Sequence, residues 1–229
     1  MKRSILSCLI GCALAWPGVA SAQQGGAGGH MPDHADHMEH SFADAERYAK
    51  QFDDPARDAW QMPDRVVAAL GLKPGQAVAD IGAGTGYFSV RLARAVPKGK
   101  VYAVDAEADM VRYLGERARK EGLANLVPLK GDAETPNLPE AVDLVLIVDT
   151  AHHIEKRRAY FHRLRGSLVP GARIAVIDFT PESKIGPPPA GRIATSKLHA
   201  ELSEAGYRLV ATHAFLPNQF FVVYQAPLR

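Results

Sequence analysis

The stretch Val78-Ala79-Asp80-Ile81-Gly82-Ala83-Gly84-Thr85-Gly86-Tyr87 decides the fold class of this chain. The apolar run at its start predicts a buried β-strand, and the apolar spacing from Tyr87 to Ala95 predicts an α-helix. Three glycines at alternate positions join these two elements. Glycine permits left-handed backbone angles and lets a ligand approach main-chain N–H groups closely. The stretch therefore predicts a ligand-binding turn between a strand and a helix.

The spacing of the glycines indicates which ligand the turn binds. Dinucleotide-binding proteins carry G-x-G-x-x-G, whereas this chain has G-x-G-x-G. The carboxylate of Asp80, just before the first glycine, would repel a pyrophosphate and suits a ligand that carries an ammonium group. The motif from Asp80 to Gly86 resembles D-x-G-x-G-x-G, the first motif of the class I S-adenosylmethionine (SAM)-dependent methyltransferases. The resemblance implies that SAM is the cofactor and that these residues bind it: Asp80, Gly82, Ala83, Gly84 and Gly86.

Two later strands add candidate contacts to the cofactor. The predicted strand Lys100 to Asp105 ends in a carboxylate that is placed to accept hydrogen bonds from two ribose hydroxyls. Asp105 could also cap the following helix, and the two roles do not exclude each other. A third predicted strand runs from Leu126 into Asp132 and Ala133. Resemblance to the family implies that the acid at this position contacts the adenine amino group.

The longest apolar run, Val142 to Asp149, predicts a central strand that is covered on both faces. Polar residues follow it directly, at the edge where open α/β sheets bind ligands. The family often carries a comparable stretch at this place. Asp149, His152 or His153 could therefore act as a base on the methyl acceptor or hold it in position. A buried, hydrogen-bonded structural histidine is the alternative for each of the two histidines.

Residues 42–75 precede this sheet and have the polarity pattern of short helices. Helices at this place commonly form a lid over the ligand cleft in this class of fold. Tyr48, Arg57 and Trp60 are then candidates to line the substrate side. Packing and surface ion pairs explain each of the three equally well.

Residues 1–22 predict a bacterial-type secretory signal peptide. A basic pair, Lys2-Arg3, and an apolar run lead to a small-residue cleavage site at Ala20-Ser21-Ala22. We therefore expect export to the periplasm. The alternative is a lipobox at Leu9-Ile10-Gly11-Cys12. Lipidation of Cys12 would attach the protein to a membrane, and so would an uncleaved leader.

The composition after the leader limits the chemistry. Both cysteines, Cys8 and Cys12, lie in the leader, so the rest of the chain has no disulfide and no thiol for covalent catalysis. Because Lys2 and Arg3 also lie there, the remaining basic and acidic residues are equal in number. That balance gives no reason to expect nucleic-acid binding.

Residues 23–41 predict a flexible linker that is rich in glycine, histidine and methionine. Imidazole and thioether groups suit copper, and imidazole with carboxylate suits other transition metals. A polar, disordered spacer is an equally good interpretation. The candidate metal ligands are His30, His34, His37 and His40.

Seven predicted strands alternate with helices over residues 76–229 and end in a hairpin, which predicts an α/β, doubly wound sheet. The resemblance implies a Rossmann-like, mostly parallel sheet of order 3-2-1-4-5-7-6 with strand 7 antiparallel. It also implies direct methyl displacement onto a small-molecule acceptor, in a group similar to the ubiquinone/menaquinone C-methyltransferases. The alternative is an exported SAM-fold binding protein with a copper-binding tail and little or no transfer. The oligomeric state stays open.

Overall fold

A computed structural model describes residues 44–228, which contain one seven-stranded sheet. Its order is β3-β2-β1-β4-β5-β7-β6; the first five strands of the chain pair in parallel, and β7 runs antiparallel to β5 and β6. The predicted α/β class, strand order and antiparallel strand are confirmed. The strands are β1 (Ala77–Ile81), β2 (Lys100–Asp105), β3 (Leu126–Lys130), β4 (Val142–Val148), β5 (Leu168–Phe179), β6 (Arg208–His213) and β7 (Gln219–Gln225).

Helices cover both faces of the sheet and precede its first strand. They are α1 (Ala45–Phe52), α2 (Asp58–Gln61), α3 (Pro63–Leu70), α4 (Ser89–Ala95), α5 (Ala108–Lys120), α6 (Arg157–Leu164) and α7 (Thr195–Glu204). The apolar spacing predicts that the helix after the glycine turn begins at Tyr87, whereas in the structure it begins at Ser89. Gly86, directly before Tyr87, has a left-handed backbone, which a right-handed helix cannot include. Within residues 44–228, every helix is too short or too polar to cross a membrane.

The central strand β4 fixes the middle of the core. Val145 and Ile147 belong to the apolar cluster with α6 and α7, whereas Leu144 and Leu146 belong to the cluster with α3, α4 and α5. All four side chains are fully buried. Burying one such side chain stabilises the fold by about 1.5–3 kcal/mol. The carboxyl end of β4, where the polar cluster begins, therefore has a firmly defined position.

The first helix, α1, lies against α5. Asp44 caps α1 by accepting a hydrogen bond from the Arg47 N–H. The N–H of Ala45 donates to Asp109 Oδ2 at 2.8 Å, and Arg112 bridges to Glu46 at 2.6 Å. These contacts attach α1 to the helix that follows β2, next to the glycine turn.

Candidate active site

The glycine turn follows β1 at the carboxyl edge of the sheet. Gly82, Gly84 and Gly86 all have left-handed backbone angles, with φ of 73°, 54° and 93°. A Cβ on Gly82 would lie 2.1 Å from Thr150 Oγ1. A Cβ on Gly86 would lie 2.8 Å from a methyl group of Leu114. Conformation and space therefore both require glycine at the first and last of these positions.

Backbone hydrogen bonds set the path of the turn. The N–H groups of Gly82 and Ala83 both donate to the carbonyl of Val104 in β2, at 2.9 and 3.0 Å. Thr85 is buried inside the turn, and within residues 44–228 its hydroxyl oxygen has no hydrogen-bond partner. An unsatisfied buried hydroxyl costs about 1–3 kcal/mol. Thr85 therefore offers a polar group that a ligand of the turn could satisfy.

Asp105 ends β2 and faces the glycine turn. Its Oδ2 accepts a hydrogen bond from the Gly84 N–H at 2.8 Å, and its Oδ1 accepts one from the Glu107 N–H at 2.9 Å. Burial raises the pKa of this carboxyl, and the backbone donors oppose the rise. Each carboxylate oxygen can accept further hydrogen bonds, so Asp105 is suited both to order the turn and to meet hydroxyl donors.

Asp80 lies beneath the turn and not on its surface. Its side chain is only 3 % exposed and accepts a hydrogen bond from the Ser89 hydroxyl at the start of α4. Burial raises the pKa of Asp80 to about 6, while the Ser89 hydrogen bond opposes the rise. The contact with Ser89 joins β1 to α4. A contact between Asp80 and the ammonium group of SAM stays a prediction.

A histidine–aspartate pair lies where β4 and β5 end side by side. His152, in the 3-10 turn after β4, has Nδ1 2.9 Å from Oδ1 of Asp178 in β5. The backbone N–H of His152 donates to Asp178 at 3.2 Å, and the Phe179 N–H donates to it at 2.8 Å. Asp178 is fully buried. Because a carboxylate only accepts hydrogen bonds, Nδ1 is the donor in this contact, and Nε2 is the ring nitrogen that Asp178 does not hold. His153 is exposed, with its ring centre 4.1 Å from that of His152.

Asp178 is absent from the residues that the sequence predicts. A signal for it exists, because it interrupts the apolar strand β5 next to the carboxyl end of the neighbouring strand β4. The pairing of β4 with β5 aligns Val148 with Ile177. Strand pairing is therefore what brings Asp178 to His152.

Asp149 directly follows β4 and has a strained backbone, with φ of 53° in a residue other than glycine. Its carboxylate accepts hydrogen bonds from Gln219 and, at 3.4 Å, from Arg57. Burial raises the pKa of Asp149 to about 7, the Arg57 charge opposes the rise, and the neighbouring Asp178 charge adds to it. Asp149, Arg57 and the histidine–aspartate pair therefore form one charged cluster.

A ring of side-chain hydrogen bonds surrounds Asp149. Gln219 in β7 donates to Asp149, and Gln61 donates to Gln219 at 2.7 Å. Arg57 closes the ring by donating to Gln61 at 3.1 and 3.2 Å and to Asp149. Both glutamines are buried. Sequence patterns give no signal for the two glutamines, since each follows from the tertiary approach of distant segments.

Aromatic rings surround Arg57. Its guanidinium carbon lies 4.1 Å from the ring centre of Tyr87 and 5.8 Å from that of Trp60. Trp60 in turn lies 5.9 Å from Phe179, which follows Asp178 in β5. Arg57 and Trp60 are therefore brought to the same end of the sheet as the histidine–aspartate pair, and a contact of either with substrate stays a prediction.

Tyr48 has a different neighbour. Its ring stacks on Phe52, also in α1, with ring centres 5.3 Å apart. Phe52 lies over the glycine turn, because its Cδ2 would be 3.3 Å from a Cβ on Gly84. The contacts of Tyr48 therefore connect it with the glycine turn through Phe52, and a contact with substrate stays a prediction.

Comparison with known proteins identifies the family. The model of a methyltransferase domain matches residues 78–171. A solved structure of a SAM-dependent methyltransferase from Aquifex aeolicus superposes with a TM-score of 0.73 and 31% identity, covering 80% of this chain and 98% of that one. This chain belongs to the SAM-dependent methyltransferase family.

Curated relatives match a shorter stretch of this chain. An uncharacterized methyltransferase of Mycobacterium tuberculosis is 38% identical over 113 residues, 48% of this chain and 55% of the relative. A ubiquinone/menaquinone biosynthesis C-methyltransferase of Cupriavidus taiwanensis is 28% identical over 122 residues, 53% of this chain and 49% of the relative. The chain thus spans about half the length of the curated relatives it matches.

The residues of the glycine turn fit SAM. The left-handed glycines leave no side chain between the backbone and a ligand, and Asp105 offers carboxylate oxygens beside them. The buried Thr85 hydroxyl adds a polar group without a partner among the described residues. Gly82, Ala83, Gly84, Gly86 and Asp105 are the residues of this chain that would hold the cofactor.

Asp132 and Ala133 follow β3 and are both exposed. The Asp132 carboxylate accepts hydrogen bonds from the Glu134 and Thr135 N–H groups, both at 2.8 Å, and from the Asn137 side chain at 3.3 Å. The Glu134 and Thr135 donors lower the pKa of Asp132. Asp132 therefore orders its own loop, and the contact with adenine stays a prediction.

The candidate metal ligands of the tail lie outside the described residues, as does the predicted leader. Within residues 44–228, no group of three or more histidine, cysteine, aspartate or glutamate side chains is arranged to hold a metal ion. Copper binding by His30, His34, His37 and His40 stays a prediction.

Proposed function

We propose that this chain transfers the methyl group of SAM to a small-molecule acceptor whose nucleophile carries an acidic proton. SAM held at the glycine turn would supply a sulfonium methyl group: the nucleophile would bond to the methyl carbon as the S–CH3 bond breaks, with S-adenosylhomocysteine as the leaving group. The single observation that carries the proposal is the His152–Asp178 pair at the same sheet edge as the turn. Thr150, two residues before His152, packs directly against Gly82 of the turn.

The roles of the residues follow from their contacts. His152 would remove the proton of the acceptor through Nε2, because Nδ1 is held by Asp178. The buried carboxylate of Asp178 would stabilise the imidazolium that forms. Arg57 and Trp60, beside Asp149 and Phe179, would orient the acceptor and exclude water.

Transfer of a radiolabelled methyl group tests this proposal. The purified protein would be incubated with labelled SAM and a panel of phenols, primary amines and enolisable ketones. We expect transfer to at least one class of acceptor and loss of that transfer in His152→Ala. Transfer that persists unchanged in His152→Ala would remove the histidine from the reaction.

The place of action is proposed from the leader sequence alone. We expect export to the periplasm, with cleavage after Ala22. Sequencing of the protein recovered from the periplasm should begin at Gln23. A lipid mass on Cys12 would instead show membrane attachment.

A further inference from the structure

Arg117, near the end of α5, contacts both the glycine turn and the end of α1. Its Nη1 donates to the carbonyl of Thr85 at 2.9 Å and to Oδ1 of Asp53 at 2.8 Å. Its Nε donates to Glu121 at 3.0 Å within α5. One guanidinium therefore joins three segments of the chain.

The contact with Thr85 fixes one peptide unit of the turn. The carbonyl of Thr85 accepts from Arg117, and the N–H of Gly86, in the same peptide unit, donates to the carbonyl of Ala83 at 2.9 Å. The flanking glycines both have left-handed angles, which cost glycine little and which it can also leave easily. A donor that holds this peptide from outside therefore determines where the N–H groups of the turn point.

The stem of Arg117 also covers the turn. Its Cδ lies 3.7 Å from the position that a Cβ on Gly86 would take, next to the methyl group of Leu114. Leu114 and Arg117 lie on one face of α5, three residues apart. The helix thus supports the turn by apolar contact as well as by the hydrogen bond.

The contact with Asp53 extends this support to α1. Asp53 directly follows Phe52, the last residue of α1, whose ring lies over Gly84 of the turn. Arg117 therefore holds the backbone of the turn and also the helix end that carries the ring above it. If the end of α1 moves, the geometry of the glycine turn therefore changes, and if the turn moves, the geometry of the α1 end changes.

The surroundings of Arg117 indicate that this residue positions the glycine turn more than it stabilises the fold. A surface cavity of about 340 Å³ is lined by Asp53, Arg117 and Glu121, so water reaches the ion pairs. Fully exposed ion pairs contribute about 0–1 kcal/mol to folding, and the Arg117–Asp53 pair, with about a fifth of each side chain exposed (21% and 22%), should contribute only modestly more. Loss of Arg117 should leave the fold intact while releasing the turn.

We propose that Arg117 is a positioning residue of the cofactor site, which couples the end of α1 to the glycine turn and so sets the affinity for SAM. The coupling to affinity rests on the proposed binding of SAM at the turn. The order that Arg117 imposes on the turn does not depend on it. Each of the two statements therefore has its own measurement.

The first measurement is the affinity for S-adenosylhomocysteine (SAH), the demethylated form of the cofactor, in titration calorimetry of the full protein. Arg117→Met keeps most of the apolar stem and removes the charge and donors, so we expect affinity about tenfold weaker. Arg117→Lys keeps the positive charge but lacks the planar set of guanidinium donors, so it should recover part of the lost affinity for SAH. If the wild-type protein binds SAH and Arg117→Met binds it equally well, the coupling to affinity is wrong.

Arg94→Met is the matched control. Arg94 also bridges to Glu121, at 2.7 Å, but its side chain is largely exposed and lies in α4. Its loss should leave the affinity for SAH unchanged. Equal weakening in the two variants would show that general surface charge, and not the contact with Thr85, is responsible.

A double-mutant cycle separates coupling from two independent contacts. Asp53→Asn removes the partner in α1, and we expect about threefold weaker binding of SAH. In Arg117→Met with Asp53→Asn, the loss should be close to that of Arg117→Met alone, since both act through one guanidinium. Losses that simply multiply would overturn the coupling between α1 and the turn.

Hydrogen exchange measures the order of the turn without any cofactor. The amide of Gly86 should exchange at least about tenfold faster in Arg117→Met than in Arg94→Met, because its peptide unit loses one of two restraints. Equal exchange rates would overturn the positioning role. Failure of the wild-type protein to bind SAM or SAH would overturn the proposed function, and the exchange result would still decide the role of Arg117.

Discussion

The two halves of the candidate active site are held in different ways. In the cofactor half, the turn is ordered by hydrogen bonds to the neighbouring strand β2, such as the Gly82 N–H that donates to the Val104 carbonyl and the Gly84 N–H that donates to the Asp105 carboxylate, 21 residues away. In the acceptor half, side chains from distant segments meet: Arg57 contacts Asp149, 92 residues away, and Gln61 contacts Gln219, 158 residues away. The difference shows that the cofactor half is built on one continuous motif with support from packed neighbours such as Arg117, whereas the acceptor half exists only where distant segments meet.

The largest effect is expected in the acceptor half, from Asp178→Asn. An asparagine can present the wrong group to His152 Nδ1 and cannot stabilise an imidazolium, so the rate of methyl transfer should fall by about 10²–10⁴-fold. Single-turnover transfer of labelled methyl measures this rate. The affinity for SAH should stay within a factor of about two.

Glu201→Gln is the control for loss of a buried carboxylate. Glu201 pairs with Arg157 at 2.6 Å between α6 and α7. Its loss should lower the free energy of unfolding and leave the rate per folded molecule unchanged. An equal loss of rate in both variants would mean that Asp178 acts only through stability.

The second effect falls on the cofactor half. In Gly82→Ala the new Cβ would clash with Thr150 and would need a left-handed backbone at φ of 73°. We expect the free energy of unfolding to fall by about 2–5 kcal/mol, with SAH binding lost as well. Chemical denaturation and calorimetry measure the two quantities.

Gly71→Ala provides the matched control for Gly82→Ala. Gly71 is also left-handed, with φ of 57°, but a Cβ there would meet nothing within 4 Å. It should cost only about 1 kcal/mol and should not affect SAH binding. If Gly82→Ala were as stable as Gly71→Ala, the backbone of the turn would be able to adjust to the added Cβ and would not be rigid.

The cofactor half could largely be predicted from the sequence. The strand, the glycines and Asp105 form one continuous pattern, and the structure brings them together. Asp80 shows the limit of the pattern, because spacing alone did not indicate that its carboxylate is buried against Ser89.

The acceptor half could be predicted only in part. The position of His152 follows from the end of an apolar strand, but Asp178 and Gln219 required the pairing of β4 with β5 and of β5 with β7. The spacing of residues within one segment does not indicate which residue of a neighbouring strand will lie beside the histidine. The aromatic surroundings of Arg57 likewise depend on how residues before β1 pack on the sheet.

A third, smaller effect compares two acids within the cofactor half. Asp105→Ala removes the acceptor of the Gly84 N–H and the proposed ribose contact, and it should weaken SAH binding about tenfold. Asp132→Ala removes hydrogen bonds within an exposed loop, and it should weaken binding less than about threefold. Calorimetry with both variants would contradict this ranking if Asp132→Ala had the larger effect.

A further comparison concerns the pH dependence of stability in the acceptor half. The pKa of Asp149 is raised by burial to about 7, from an ordinary value of 3.8, so the folded protein retains the proton more strongly than the unfolded chain. The stability that Asp149 contributes is therefore fully present below about pH 4 and is lost as the pH rises through 7.

Asp149→Asn should remove this part of the pH dependence. Urea denaturation between pH 5 and 8 should give a shallower decline of the unfolding free energy in the variant than in the wild-type protein. Asp80, with a pKa raised to about 6, remains in both proteins and contributes equally. Parallel pH curves would mean that Asp149 has an ordinary pKa.

Whether the cofactor half and the acceptor half are independent is tested most directly by the affinity of Asp178→Asn for SAH, compared with that of the wild-type protein. We expect micromolar, one-to-one binding by the wild-type protein and the same affinity, within a factor of about two, in the variant. No saturable binding by the wild-type protein would contradict the assignment of the glycine turn to SAM. A variant that binds SAH about tenfold more weakly would contradict the separation of the cofactor half from the acceptor half.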